Sequence, residues 1–239
     1  MKQIQKKENA IVISAELLES LANAIRRYVN EISVFAIEEV EISKNDSPLY
    51  DETIAHRIGL VPIKMGGNLD EKKTKLKLES KKEGFVYSGE LKGAEIVYDK
   101  IPLTALSKGQ EISLTATGKF GKGSEHAKFS PGLMFYREIC ELEIDKSLSE
   151  EIKRACPNNE TKEKANKIII LDNLKEGVED RCEVICQKKN KTLKIKKTNE
   201  LVILLESFGQ FSAEGLFKKA IDTLKKDLVE LEKKIKIDF

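Results

Sequence analysis

Apolar and polar positions change period several times along the chain, and each change marks out an element. Ile11, Val12 and Ile13 form a short apolar run that predicts a strand. Beyond it Leu18, Leu21, Ala22, Ile25, Tyr28, Val29 and Ile32 recur at three- and four-residue spacing, the broad face of an amphipathic helix. Ser14 is its expected N-cap, because a hydroxyl can accept an unpaired first-turn N–H. Arg26, Arg27, Asn30 and Glu31 fall outside the stripe. Residues 33–43 return to a period of two with a slip in phase: Phe35 and Ile37 share one face, Val40 and Ile42 the other, and Glu38-Glu39 stands between. A slipped period predicts a bulge or a passage from one core to another, here the crossing between domains.

Asn45-Asp46-Ser47-Pro48 is a turn sequence, and Asp51 is placed to cap a short helix carrying Ile54, Ala55 and Ile58, with Gly59 as a left-handed stop. Leu60–Ile63 reads as extended, and Asn68–Lys82 as a lysine-rich solvated hairpin or loop. Residues 84–144 look all-β: Phe85 and Tyr87 alternate, as do Ile112, Leu114 and Ala116, with turns at Gly89 and Lys108-Gly109. A basic glycine-rich loop, residues 118–123, leads through His126 and Lys128 to Pro131, and a strand pair follows around Phe135–Ile144. Residues 145–190 are polar, mixed and hold three of the four cysteines. Leu193 and Ile195 alternate with lysines, Thr198-Asn199 reads as a turn, and Leu201–Leu205 as a buried strand. A long helix closes the chain, capped by Ser212; Phe217, Ala220, Ile221, Leu224, Leu228, Leu231 and Ile235 repeat near the 3.5-residue spacing of a helix–helix seam.

These elements give an α+β chain whose helical ends pack together around an inserted β region. Two long amphipathic helices on a few strands leave an apolar face that needs a protein partner. Composition narrows the classes further. Lys+Arg at 42 and Asp+Glu at 40 nearly cancel, so nothing points to dedicated or sequence-specific DNA binding. No apolar run approaches the ~20 residues of a membrane span, and the lysine-rich start lacks the apolar core of a signal peptide. The expected location is the cytoplasm, where cysteines stay reduced or metal-bound.

Candidate chemistry is sparse. No D-x-D-x-D cluster, G-x-S-x-G or H-E-x-x-H appears, and no cysteine has a catalytic partner in sequence. The loop Gly121–Pro131 lacks the Gly-Lys-Ser/Thr ending of a phosphate loop. Lone His56 reads as a packing or hydrogen-bonding residue, and Arg57, opposite Ile54 and Ile58, as the better contact candidate. Cys140 reads as a small apolar group on a strand. Cys156, Cys182 and Cys186 are candidate zinc ligands that lack a fourth partner. Two other readings therefore stay open: a metal or iron–sulfur protein working through residues 145–190, and a free-standing nucleic-acid-binding module using its lysine runs, although the interleaved aromatic residues of a single-strand platform are missing.

A third reading comes from order. Asn23-Ala24-Ile25-Arg26-Arg27-Tyr28, then Ile37-Glu38-Glu39-Val40, then Ala55-His56-Arg57-Ile58-Gly59-Leu60-Val61-Pro62, resembles the N-terminal assembly segment of the alpha-like subunits of multisubunit DNA-directed RNA polymerases, and among them the archaeal D-type form most nearly. The resemblance continues through Val86–Leu91, Lys108–Leu114, Gly121–Arg137 and Val202–Gly209 into the last helix. It implies a non-catalytic scaffold with a split dimerisation domain (residues 1–42 and 191–239), a β-rich insert domain (43–144) and a ferredoxin-like insertion (145–190). The partners implied are a smaller alpha-like subunit, paired through the terminal helices, then the large catalytic subunits and other small ones. Interface residues on this reading are Leu18, Leu21 and Ile25, with Phe217, Ala220, Ile221, Leu224, Leu228 and Leu231 along the last helix. Arg26, Arg27, Arg57, His126 and Lys128 become contacts to large subunits. Leu224→Asp is expected to abolish pairing.

The chain departs from the resemblance in one place. A two-cluster ferredoxin insertion needs two C-x2-C-x2-C-x3-C-P runs. Only Cys156-Pro157 remains of the first, whose earlier slots hold Lys146, Ser149 and Ile152; the second keeps Cys182 and Cys186, with Glu176 and Glu179 in the other slots. The ligand set is incomplete, so the insertion is expected to be reduced and to carry no Fe–S cluster, leaving no cofactor.

Overall fold

A computed structural model describes residues 2–66, 69–173 and 177–235. In chain order the elements begin β1 (Lys2–Lys7), β2 (Ala10–Glu16), α1 (Glu19–Tyr28), β3 (Val34–Asn45), α2 (Asp51–Gly59) and β4 (Lys75–Ser80). Next come β5 (Gly84–Tyr87), β6 (Pro102–Leu106), β7 (Ile112–Gly121), β8 (Gly132–Asp145), α3 (Ser149–Ala155) and β9 (Thr161–Lys164). The chain continues through β10 (Lys167–Asp172), α4 (Glu179–Lys188) and β11 (Lys194–Ser207) to α5 (Ala213–Ile235). Helices and antiparallel strands segregate into two compact units, Met1–Ala24 with Met134–Leu205, and Ile25–Leu133 with Glu206–Phe239.

The first unit is built on a six-stranded sheet in the order β1-β2-β11-β8-β10-β9. Strand β8 alternates between two cores. Cys140, Leu142 and Ile144 pack with Ile152 of α3, Ile168 and Ile170 of β10, and Cys182 and Cys186 of α4. Ile139, on the other face, packs with Val12, Val202 and Leu204. Three expectations change here. Ser14 lies inside β2 and is buried, so it caps nothing, and α1 begins only at Glu19. Residues 135–144 are part of one 14-residue strand rather than a pair. Thr198-Asn199 does not turn the chain: β11 runs on through it, and Thr198 Oγ1 donates to Ile139 O at 2.8 Å, holding the strand to β8. Strand β1 escaped notice because its residues are almost all polar, a lysine-rich edge of the kind that discourages further pairing.

The second unit holds a three-stranded sheet, β3-β7-β4, and the β5–β6 pair, around one large core. The slipped period of β3 is a bulge: its register with β7 shifts between Ile37 and Glu39. By absorbing the extra residue the bulge keeps Val40 and Ile42 against the same core as Phe35 and Ile37, while Val34 and Ala36 on the other face pack with Phe129 in a smaller cluster. Lys75–Ser80, read as part of a solvated hairpin or loop that starts at Asn68 (itself outside the described residues), is a strand. Leu76 and Leu78 enter the core and the lysines face out, with β7 as partner. Gly118 and Gly121 lie in β7 rather than in a loop; a Cβ at either would stand 2.6 Å from the ring of Phe35 or Phe129. Helix α2 has Tyr50 at its N-cap and no side-chain cap bond; Asp51 is its first residue and instead accepts from Asn45 Nδ2 at 2.7 Å. Gly59 is not left-handed, whereas Gly109 is, with φ of 83° in the expected turn.

Candidate functional site

The last helix starts as expected: Ser212 Oγ accepts the Gly215 N–H at 3.2 Å, closing the first turn of α5. Its stripe then divides. Leu216, Phe217, Ala220 and Leu224 are buried in their own unit, and Ile221 is half-buried. Leu228 (54% exposed), Leu231 (51%) and Ile235 (61%) continue the same line but face out, and every residue from Lys225 to Ile235 is exposed. Leu228, Leu231, Glu232 and Ile235 line one shallow apolar depression. Eleven residues, roughly 16 Å of helix, thus project past the packed part of α5. Short isolated helices are marginal in water, so this extension gains most from a partner on its apolar line.

The two halves differ in composition, a signal the spacing hides. Ala213, Gly215, Ala220 and Thr223 sit in the packed half, and a dense run of Lys, Asp and Glu fills the projecting half. Leu224 is 8% exposed and therefore belongs to the fold; Leu224→Asp would test folding rather than pairing, which corrects its expected use. The start of the projecting half is met by Tyr28, whose hydroxyl donates to Asp227 and is thereby held above its ordinary pKa. On α1, Ala22 and Ile25 are buried, whereas Leu21 (42%) faces solvent along with Arg26 and Arg27, as does Leu18 (76%) just before the helix.

The loop after β7 is anchored through Asn30. Its carbonyl accepts from Ser124 N at 3.2 Å, and its Oδ1 accepts from Ser130 Oγ at 2.9 Å. His126 Nδ1 accepts from Lys128 N at 3.1 Å, capping a single 3-10 turn. Lys128 Nζ donates to Ile37 O at 3.0 Å and to the Glu38 carboxylate, and lies 5.1 Å from the centre of the Phe129 ring. Its side chain is 14% exposed, so it fastens the bulge of β3 and presents little to a partner. Lys119 and Lys128 together hold Glu38 below the usual carboxylate range. Arg57 is similarly occupied in part, donating from Nη1 to Leu103 O at 3.1 Å; His56 beside it is exposed.

The cysteines converge in the first unit. All four thiols are buried in one apolar core, and burial pushes each one up, Cys182 to about 12. Of the vacated cluster slots, Ile152 fills the same core, Lys146 pairs with Glu163 at 3.0 Å, and Glu179 is exposed at the start of α4. Glu176 lies outside the described residues. Among the described residues no three of His, Cys, Asp and Glu come together to hold a metal ion. Of the eight slots of the two runs only three hold cysteine, short of the thiolates a cluster needs, and Cys156, Cys182 and Cys186 lie in the apolar core. Beside this core Arg137 Nη2 holds the buried carboxylate of Asp172 at 2.9 Å, a pair the sequence did not single out.

Residues 40–134 match the RNA polymerase Rpb3/RpoA insert domain. The chain is 34% identical over 196 residues to DNA-directed RNA polymerase subunit Rpo3 of Pyrococcus horikoshii, covering 73% of this chain and 74% of that protein. Subunit Rpo3 of Pyrococcus furiosus is 36% identical over 181 residues, 67% of this chain and 69% of its own length. That of Archaeoglobus fulgidus is 27% identical over 236 residues, reaching 90% of this chain and 89% of the relative.

Proposed function

Because the chain belongs to the family of archaeal DNA-directed RNA polymerase subunit Rpo3, we propose that it is the D-type alpha-like chain, the one that pairs with the smaller alpha-like subunit. It is a non-catalytic assembly subunit of DNA-directed RNA polymerase, and nucleotidyl transfer belongs to other subunits of that complex. The pairing is carried by one observation: the apolar line of α5 continues through Leu228, Leu231 and Ile235 after its own core has ended. Exposed Leu18 and Leu21 are further candidates for that pairing, with residues 1–42 and 191–239 as the split dimerisation domain. The heterodimer then serves as the platform for the large subunits, which meet the insert, about 43–144, and the exposed guanidinium groups of Arg26 and Arg27.

Residues 145–190 are, on this reading, a reduced ferredoxin-like insertion whose folding rests on apolar packing around Cys156, Cys182 and Cys186 in place of a cluster. Nothing favours redox work there, since a buried thiol with a raised pKa is a poor nucleophile and ligand. Among the described residues no helix is long and apolar enough to cross a membrane, in keeping with work in the cytoplasm. The test is co-expression with the smaller alpha-like subunit of the same genome, followed by light scattering on the eluted peak. A one-to-one complex supports the scaffold; failure of the two chains to co-elute would overturn it.

A further inference from the structure

Beyond the bulge of β3 one face of the three-stranded sheet is open, and its charges are sorted by strand. Near the start of β3 that face is covered, since Val34 and Ala36 pack with Phe129. Farther along, β7 runs down the middle with Thr117 and Thr115 half-buried, between Lys75 and Lys77 on β4 and Glu39 and Glu41 on β3. The register makes each row lysine, threonine, glutamate: Lys75–Thr117–Glu39, then Lys77–Thr115–Glu41. The next row, Glu79–Ser113–Lys44, reverses the signs and ends the columns. Leu76, Ala116 and Val40 occupy the opposite, inner face. The two charged columns stand two strand spacings apart, about 9.5 Å. At either end of the face charges are matched within the chain: Glu38 by Lys119 and Lys128, and Lys44 by Glu111. Between them Lys75, Lys77, Glu39 and Glu41 are exposed, and among the described residues they enter no ion pair.

We infer that this face docks a helix of another polymerase subunit, laid along β7, with acidic side chains over Lys75 and Lys77 and basic ones over Glu39 and Glu41. The dimensions suit a helix, whose diameter with side chains, about 10–12 Å, spans both columns. Lysines two residues apart on a strand lie about 6.8 Å apart, close to the ~6 Å between helix positions i and i+4. The short threonines leave a floor between the columns on which the helix rests. Turning such a helix end for end sets like charge on like, so the face accepts one direction only. Exposed pairs each add little affinity, and the columns therefore orient a partner that other contacts hold. The inference rests on the scaffold reading, which supplies those other contacts.

The experiment reconstitutes the polymerase from the subunits of one genome. The parent chain competes for limiting partners with an equal amount of a quadruple variant, Lys75→Glu, Lys77→Glu, Glu39→Lys and Glu41→Lys. The variant exchanges the columns at constant net charge and alters only exposed positions, and its melting temperature alone reports that it folds. Mass spectrometry of the assembled polymerase should find the parent in about tenfold excess. A second reading needs no variant: acylation of Lys75 and Lys77 by an amine-reactive reagent should fall roughly fivefold from free chain to polymerase, because a docked partner excludes solvent. Zero-length carbodiimide coupling should join the two lysines to carboxylates at i and i+4 of one other subunit. Equal incorporation of a folded variant, unchanged acylation, or coupling without that spacing each overturns the inference and leaves the scaffold standing. Exclusion of both chains from the polymerase would overturn the scaffold, and this inference with it.

Discussion

Replacing Leu228 and Leu231 together with alanine separates pairing from folding. The two side chains are 54% and 51% exposed, so about half of each remains to be covered by a partner. Full burial of a leucine contributes about 1.5–3 kcal/mol, and two half-burials therefore about 2 kcal/mol. That corresponds to roughly a thirtyfold rise in the dissociation constant for the smaller alpha-like subunit, measurable by titration calorimetry. The melting temperature of the chain alone should move by no more than about 2 °C, because exposed positions change stability little. Leu224→Ala is the matched control: at 8% exposed it should cost about 2–5 kcal/mol of folding stability and lower the melt visibly. Parent-like affinity in the double variant, or a melt as depressed as that of Leu224→Ala, would refute this division of the helix.

Gly118→Ala places a methyl group 2.6 Å from two ring atoms of Phe35 and 2.7 Å from Ala36 O, and should destabilise the fold by about 2 kcal/mol in urea titration. Cys140, Cys156, Cys182 and Cys186 should resist a thiol-specific chromogenic reagent in native buffer and all react in denaturant, since burial raises every thiol pKa. Lys44 and Lys81 lower Glu111 from its ordinary 4.5 to about 2, so its contribution is complete above 4.5 and fades as pH falls toward 2. Glu111→Gln should accordingly flatten acid unfolding in that window and change little at neutral pH. Arg137→Met strands the buried Asp172 carboxylate and should cost about 3–5 kcal/mol, partly recovered by adding Asp172→Asn.

Features set by short-range chemistry were legible in the sequence. The slipped period at Glu38 announced a bulge or a change of core and proved to be the bulge, Ser212 announced the start of α5, and the alternation of Ile112, Leu114 and Ala116 marked a strand with one buried face. What failed depended on distant partners. Ser14 has the chemistry of a cap but lies in a strand that pairs with β1, and β1 gives no apolar signal of its own. Residues 75–80 read as either a hairpin or a loop because the lysines dominate; their strand pairs with β7, more than thirty residues away. The glycines of β7 imitate a loop because sequence cannot show the Phe35 and Phe129 rings that need the space. The stripe on α5 was visible in full, but the point where the core ends, and hence which leucines face out, is a property of the folded unit.

The bulge at Glu38 makes residue count a structural variable in its own right. Glu38 contributes no side chain to the core, and its carboxylate reaches out to Lys119 and Lys128. The bulge absorbs it as an extra residue, and so Val40 and Ile42 stay on the inner face. Substitution at this site would loosen a surface ion pair, whereas loss of the residue would leave Ile37-Glu39-Val40-Glu41-Ile42, a strict alternation that keeps Val40 and Ile42 on the inner face with no bulge. The odd spacing between Ile37 and Val40 is thus absorbed by the backbone, as a leap day is absorbed by a calendar so that the seasons keep their place.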